Sequence, residues 1–400
     1  MEELTIVVVA LAFSFDFVNG FHDAANAIAT IVATKVLTPI QAVTMSAIGN
    51  FTGMVFGTFI GVLIAKTIGK GIIDTHIISG WTGVWLILAV LVGAIAWDLI
   101  TWLLGLPTSS SHALVGGLVG AGLALAGTGA ILGPDPASVA EFLEFTGTGG
   151  LIGATLWGAL WLRKREGRLV RNLVFGFAGG AVIAGAVAGW ILQKHLLGLV
   201  TTVIFMVLSP LIGMGVAYLL TSATMHALRR KKARVVNWYF RKLQLVSSFF
   251  YSVMHGTSDA QKVMGIITIV LVFDGTLSTF EVPFWVIIGC HAAISLGTFF
   301  GGWKIVKTMA SKITALQPYQ GFCAESGGGL VLVMNAIFGI PVSTTHVISS
   351  SIMGVGATKR LSAVRWGVAR SVIWAWILTI PMSALLSYIA FWAIRLSGAV

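Results

Sequence analysis

Charge is scarce in this chain: Asp, Glu, Lys and Arg together make up 10% of its 400 residues, and only 14 residues are acidic. A soluble domain carries about a quarter of its residues as charges, so a water-exposed globule is excluded. Cysteine is almost absent. Cys290 and Cys323 each lie inside an apolar segment without metal-ligand spacing, which leaves two small core residues rather than a disulfide framework or a thiolate metal site. No nucleotide loop occurs either. Gly327-Gly328-Gly329 is not followed by a Lys-Ser/Thr pair, which argues against drive by ATP. Met1-Glu2-Glu3 lacks the basic start of a cleaved signal peptide, so the first apolar helix is expected to remain.

Hydrophobic length is abundant. The mean hydropathy is +0.94, and apolar runs of roughly 20 residues, enough to cross a bilayer, recur along the whole chain. The net charge of +11 does not point to nucleic acid, because 18 of the 25 Lys and Arg fall in four short segments, 163–171, 229–242, 304–312 and 359–365. That is the pattern of cytoplasmic loops under the positive-inside rule. The runs predict an apolar helix over 4–33, interrupted by the polar stretch Asp16 to Asn26, and a crossing at 37–65. Arms at 81–105 and 109–127 follow, then a loop at 128–144 with Asp135, Glu141 and Glu144. Crossings come next at 145–162, 173–193, 197–222, 245–271 and 282–303, then an arm at 318–339 and a last crossing near 366–394. The expected fold is an all-α polytopic membrane protein with about 8 full crossings and two re-entrant helical hairpins, about 12 helical segments in all. Both termini are expected outside a plasma or inner cell membrane, since that places every basic segment inside.

Two stretches nearly repeat each other. Pro107-Thr108-Ser109-Ser110-Ser111-His112 and Pro341-Val342-Ser343-Thr344-Thr345-His346 each end one apolar helix and open the next with hydroxyls. A bare Pro-hydroxyl turn suits a buried tip lined by protein better than an exposed loop. Phe13–Thr30 also aligns without gaps on Phe249–Ile266, matching Gly20 with Gly256 and Asp23 with Asp259, at an offset of 236 residues against 234 at the tips. Counting crossings, the two halves enter from opposite sides. This is an inverted repeat, which places a ligand near the midplane where the halves meet. The organisation is therefore 1–130 as the first repeat with hairpin 81–127, 131–243 as central helices and basic loops, and 244–400 as the second repeat with hairpin 318–357. Each repeat opens with a broken helix in this reading.

Ser109, Ser110, Ser111, Ser343, Thr344 and Thr345, with two helix N-termini, offer hydrogen-bond donors from opposite sides. One such cluster is an ordinary helix cap; two at equivalent places in inverted halves make an anion site. Asp23 and Asp259 are carboxylates within the membrane, where a charge is costly and by default functional. With Asn26 they supply hard oxygen ligands suited to Na⁺, and Asn50 and Gln261 are weaker candidates for the same ion. Lys262 either meets the anion or pairs with Asp259. Asp16 and Asp98 are further intramembrane carboxylates, and His112 and His346 close the tips as gating candidates.

The stretches Gly20-Phe-His-Asp23-Ala-Ala-Asn26 and Gly256-Thr-Ser-Asp259-Ala-Gln-Lys262, each followed by a Pro-x-Ser-[Ser/Thr]-[Ser/Thr]-His tip, resemble the inorganic phosphate transporter (PiT) family. The resemblance covers roughly 10–125 and 245–360. It departs from the common Gly-x-Asn-Asp-x-x-Asn pattern at His22, Ser258 and Lys262. The resemblance implies import of inorganic phosphate driven by a cation gradient, through a homodimer, and gives Glu325 a coupling or gating role. Na⁺ is then a transported coupling ion, with no organic cofactor, no enzyme activity and no nucleic-acid partner. Proton-coupled transport of phosphate or a metal–phosphate complex, and sulfate transport, keep the same fold. A channel fits intramembrane carboxylates less well, and a hydrolase is disfavoured by a symmetric site, since hydrolysis needs dissimilar acid and nucleophile groups.

Overall fold

The computed structural model describes residues 2–78, 80–133, 140, 144, 147–155 and 199–400. The crossing expected at 173–193, the second part of that at 145–162, Asp135, Glu141 and the basic segment 163–171 lie outside the described residues. Helices carry the fold, and the only β pairing among the described residues is a single bridge between Ile73 and Ile131. The first half contains α1 (Glu2–Ala33), α2 (Pro39–Ile60), α3 (Leu63–Lys70), α4 (Gly80–Leu104) and α5 (Ser110–Ala126). After α6 (Leu199–Leu228) the pattern repeats as α7 (Ala233–Phe273), α8 (Phe284–Phe300), α9 (Trp303–Lys312), α10 (Pro318–Ile337) and α11 (Thr344–Lys359), and α12 (Trp366–Leu396) closes the chain. Seven described helices are long and apolar enough to cross a membrane, or eight if the bent pair α8–α9 is one span. Large apolar side chains such as Phe59, Leu104, Phe284 and Leu396 stand exposed on the outer helices, as a surface facing lipid requires.

Local sequence sets these boundaries. Pro39 and Pro318 open α2 and α10 at first-turn positions where no N–H is needed. Gln41 and Gln320 fold back to accept from the backbone N–H of Thr38 and Gln317, both at 3.0 Å. Ser109 and Ser343 cap α5 and α11, accepting from His112 N at 3.2 Å and His346 N at 3.1 Å.

Two expectations need correction. α1 and α7 are continuous through Asp16–Asn26 and His255–Lys262. The polar stretches contain no Pro, and their side chains bond to neighbouring helices instead of competing for the backbone. The breaks fall instead in the next apolar run of each half. The crossing drawn over 37–65 ends at Ile60 before Gly61 (φ 91°), and that over 282–303 ends at Phe300 before Gly301 (φ 65°), where α8 and α9 bend by 73°. Glycine reaches these positive φ values without steric cost. Position 244, where the second repeat is drawn from sequence, lies inside α7, which starts at Ala233.

The halves interlock. α1 packs on α8, and α7 packs on α2, so the first helix of each repeat lies against the second helix of the other. α12 covers α4 and α5, and α6 covers α10 and α11. The most apolar window of α7 is 94% buried against 22% for α12, which makes α7 the axis of the molecule. Two equivalent glycines set the crossings: a Cβ on Gly20 would overlap the backbone of Ile294, and one on Gly256 that of Asn50. We expect Gly256→Val to force α7 off α2 and to lower stability by roughly 3 kcal/mol or more, read as an earlier melting transition in detergent. Gly215→Ala in α6, where a Cβ meets nothing within 4 Å, should leave melting unchanged or slightly raised.

Candidate functional site

Two polar stripes run down otherwise apolar helices. On α1 they are Asp16, Asn19, His22, Asp23, Asn26 and Thr30, and on α7 Gln244, Ser247, Ser248, Tyr251, His255, Asp259 and Lys262, all buried. Steps of three and four residues keep each stripe on one helix face. The interlocked packing turns the stripes towards each other and towards the hydroxyl tips.

The tips meet at the carboxylates. Thr345 Oγ1 donates to Asp23 Oδ2 at 3.2 Å, and Thr344 Oγ1 donates to Asp259 Oδ2 at 3.1 Å. Asn26 Nδ2 donates to both hydroxyls, at 2.9 Å to Thr345 and 3.2 Å to Thr344. Asp23 Oδ1 lies 2.8 Å from His22 Nδ1, and Asp259 Oδ2 lies 3.2 Å from His255 Nε2. Lys262 Nζ donates to Asp259 Oδ1 at 2.5 Å, to the Val342 carbonyl at 2.7 Å and to Ser111 Oγ. Ligand atoms of Asp23, His255 and Asp259 all lie within 4.8 Å of one another. Tyr251 OH fixes the second tip by donating to Thr344 O at 2.9 Å.

The remaining sequence candidates divide. Ser110 is buried in the first turn of α5, and Ser109 and Ser343 direct an oxygen to their own helix N-termini while keeping one proton each to donate. Asn50 stands behind His255: its Oδ1 lies 3.0 Å from His255 Nδ1, while its Nδ2 donates to Thr298 Oγ1 at 2.7 Å. Gln261 faces away from the carboxylates and bridges the α2–α3 break, donating to Gly61 O and accepting from Ile64 N, both at 3.2 Å. Glu325 accepts from Thr30 (2.6 Å), Gln244 (3.0 Å) and Ser247 (2.5 Å), and so ties α10 to α1 and α7. The rings of His112 and His346 meet edge to face at 4.2 Å between centroids.

The residues missed by sequence reasoning are His255, Tyr251, Gln244, Ser247 and Trp376, and His22 was noted only as a departure from the motif. The α7 stripe carried a signal, since Gln244, Ser248, Tyr251, His255, Asp259 and Lys262 follow helical spacing. Nothing local marks Trp376.

Residues 19–387 match the phosphate transporter family, and that span contains both tips, the whole α7 stripe and the α1 stripe from Asn19 onward. The chain belongs to that family. It is 43% identical over 391 residues to a Rhizobium meliloti protein described as "Probable low-affinity inorganic phosphate transporter", covering 98% of this chain and 96% of the relative. A Bacillus subtilis protein of the same description is 36% identical over 394 residues, covering 98% of each. The solved structure of "The sodium-dependent phosphate transporter" superposes with a TM-score of 0.69 at 24% identity, over 98% of this chain and 99% of that one; this likeness concerns the fold. The hydroxyl tips are held by aromatic packing as well as by polar contacts. Trp376 on α12 stacks on His346 at 3.9 Å and donates its Nε1 to Pro107 O at 3.1 Å, so it touches both tips. We expect Trp376→Phe to remove the second contact alone, with a loss of about 1 kcal/mol of stability. Trp376→Ala should cost about 3–5 kcal/mol, both read by thermal melting.

Proposed function

We propose that the chain imports inorganic phosphate by symport with Na⁺, holding the anion between the tips at Ser109–Ser111 and Ser343–Thr345. The observation that carries this reading is the convergence of Thr344 and Thr345 on Asp23, Asp259 and Asn26, which couples the anion-binding tips directly to the cation-binding carboxylates. Phosphate leaves water only where donors replace its hydration. The hydroxyls of Ser109, Ser110, Ser111 and Ser343 and the N-termini of α5 and α11 provide them, and Lys262 contributes positive charge nearby. A cation on Asp23 and Asn26 offsets the repulsion between carboxylate and anion. Binding of both ligands then favours rocking of one repeat against the other, with substrate at the repeat interface. Glu325 and the His112–His346 contact lie where such a motion would be transmitted or blocked. Asn50 and Gln261 act one step back, by orienting His255 and by closing the α2–α3 break.

In this reading α4–α5 and α10–α11 are re-entrant hairpins, consistent with the burial of Pro107–Ser109 and Ile340–Ser343 at their turns. The chain sits in the cell membrane with both termini outside, as the basic loops suggest. A homodimer rests on the family resemblance and is checked by the mass of the detergent-solubilised protein.

Proton coupling is the second reading, and one observation favours it: each carboxylate faces an imidazole, His22 on Asp23 and His255 on Asp259. Labelled-phosphate uptake into proteoliposomes under either an inward Na⁺ gradient or an inward proton gradient decides between them. Uptake driven by Na⁺ alone supports the symport as stated. Uptake driven by protons alone moves the carboxylates to proton carriage. No uptake under either gradient rejects phosphate symport, and sulfate is the next anion to test.

A further inference from the structure

The two repeats differ in charge at an equivalent position beside the tips, Asn26 in α1 and Lys262 in α7. Each side chain reaches the opposite repeat's tip at an equivalent hydroxyl, Asn26 to Thr345 and Lys262 to Ser111, and each lies three residues after the buried Asp. The surroundings of the Lys262 ammonium are those of a bound alkali cation: a carboxylate oxygen (Asp259), a hydroxyl (Ser111) and a backbone carbonyl (Val342) from the non-helical stretch before α11. An ammonium has three N–H donors, and all three are engaged by these oxygens. None is left for phosphate in this arrangement. Asp259 in turn accepts from Lys262 and Thr344, and His255 Nε2 lies 3.2 Å from its Oδ2.

In the first repeat the equivalent position is the neutral Asn26. Thr344 and Thr345 each give their proton to a carboxylate, so towards Asn26 their oxygens can only accept. This fixes the Asn26 amide with Nδ2 on the hydroxyls and Oδ1 turned away, and Oδ1 is buried without a hydrogen-bond partner among the described residues. A buried acceptor without a donor is costly, and this one belongs to a side chain that shares the Thr345 hydroxyl with Asp23, three residues along the same helix, which makes it a candidate cation ligand.

We propose that Lys262 is a tethered cation that permanently fills the second repeat's cation site, leaving only the first repeat's site at Asp23 and Asn26 for a mobile coupling ion. This inference rests on the symport reading above. A free ion would leave Asp259 bare after release, whereas a tethered ammonium keeps it neutralised through the cycle, because a buried carboxylate and its ammonium partner are costly to separate. The charge of the second half is therefore constant, and coupling passes through the first half alone.

The test is the number of coupling cations moved per phosphate, read from the membrane potential at which net phosphate flux vanishes under a fixed ion gradient. Wild type is expected to move one. Lys262→Asn, which makes the second repeat copy the first, is expected to move one more. A wild-type value of two or more, or the same value in both proteins, overturns the proposal. Should Lys262→Asn not fold, Lys262→Gln replaces it, and the wild-type value stands as a test by itself. If wild type moves no phosphate, the symport reading fails, and melting decides the inference. Replacing choline chloride by sodium chloride at equal ionic strength should then raise the melting temperature of the substituted protein by about 2 °C more than that of wild type. Equal rises would overturn the tethered-cation assignment.

Discussion

Asp259→Asn is expected to damage the fold far more than Asp23→Asn, although both should abolish coupled uptake. Removing the Asp259 carboxylate strands the Lys262 ammonium in a buried site, where it is 2% exposed and keeps only a hydroxyl and a carbonyl as partners. Breaking one side of such a pair costs about 3–5 kcal/mol, enough to lower melting markedly and reduce the yield of folded protein. Among the described residues no Lys or Arg lies within salt-bridge distance of Asp23; its oxygens meet His22 and Thr345, and an Asn amide oxygen can still accept from one of them. The stability loss should then be about 1–2 kcal/mol. Uptake, by contrast, should fall by at least roughly 100-fold in both, the factor that about 3 kcal/mol of lost charge-assisted contact represents. Melting and gradient-driven uptake on the same two preparations check this. Equal melting of the two variants would show that Lys262 does not depend on Asp259, and full uptake by Asp23→Asn would remove the first-repeat site from coupling.

Thr345→Val should raise the phosphate concentration needed for half-maximal uptake by about 10- to 100-fold, about 1.4–2.8 kcal/mol, whereas Thr345→Ser should change it little. The Thr345 hydroxyl serves two partners from the first repeat at once, donating to Asp23 and accepting from Asn26. Valine keeps the volume and removes both bonds, leaving a buried carboxylate oxygen and an amide N–H each short of a partner, and such groups cost about 1–3 kcal/mol each. The site then relaxes away from the geometry that presents the tip to the anion. Serine restores the oxygen and loses one methyl group. Saturation curves for labelled phosphate separate the outcomes. An unchanged curve for the Val variant would mean that Thr345 only starts α11, the ordinary task of a hydroxyl at a helix N-terminus.

Much of this architecture was legible in the residues alone. The helices follow from apolar length, and the boundaries of α4, α5, α10 and α12 fall within a few residues of those read from hydropathy and proline. The twofold repeat was visible because Gly20, Asp23 and the Pro-hydroxyl tips recur at nearly constant spacing. Asp23, Asp259, Asn26, Thr344 and Thr345 stood out because each is a polar group where the bilayer makes polar groups costly. These are local signals, carried by composition and by spacing of three or four residues.

What the sequence did not contain is which faces meet. Helical periodicity places His255, Asp259 and Lys262 on one face of α7, but not opposite a particular neighbour. The partners of Lys262 come from positions 151 and 80 residues away, and those of Asn26 from 318 and 319 residues away. The polar stretch of α1 read as a break because its hydrogen bonds to other helices cannot be seen from one segment. The true breaks at Gly61 and Gly301 were hidden inside apolar runs, where only the bend and the Gln261 bridge reveal them. A membrane-embedded inverted repeat with two hydroxyl tips and a carboxylate in each half can be read from the residues in order, because apolar length and the cost of buried charge are properties of single segments. That Lys262 spends its three donors on Asp259, Ser111 and Val342 while Asn26 leaves an oxygen open in the other half emerges from folding alone, because the difference arises from hydrogen-bond geometry between segments far apart in the chain.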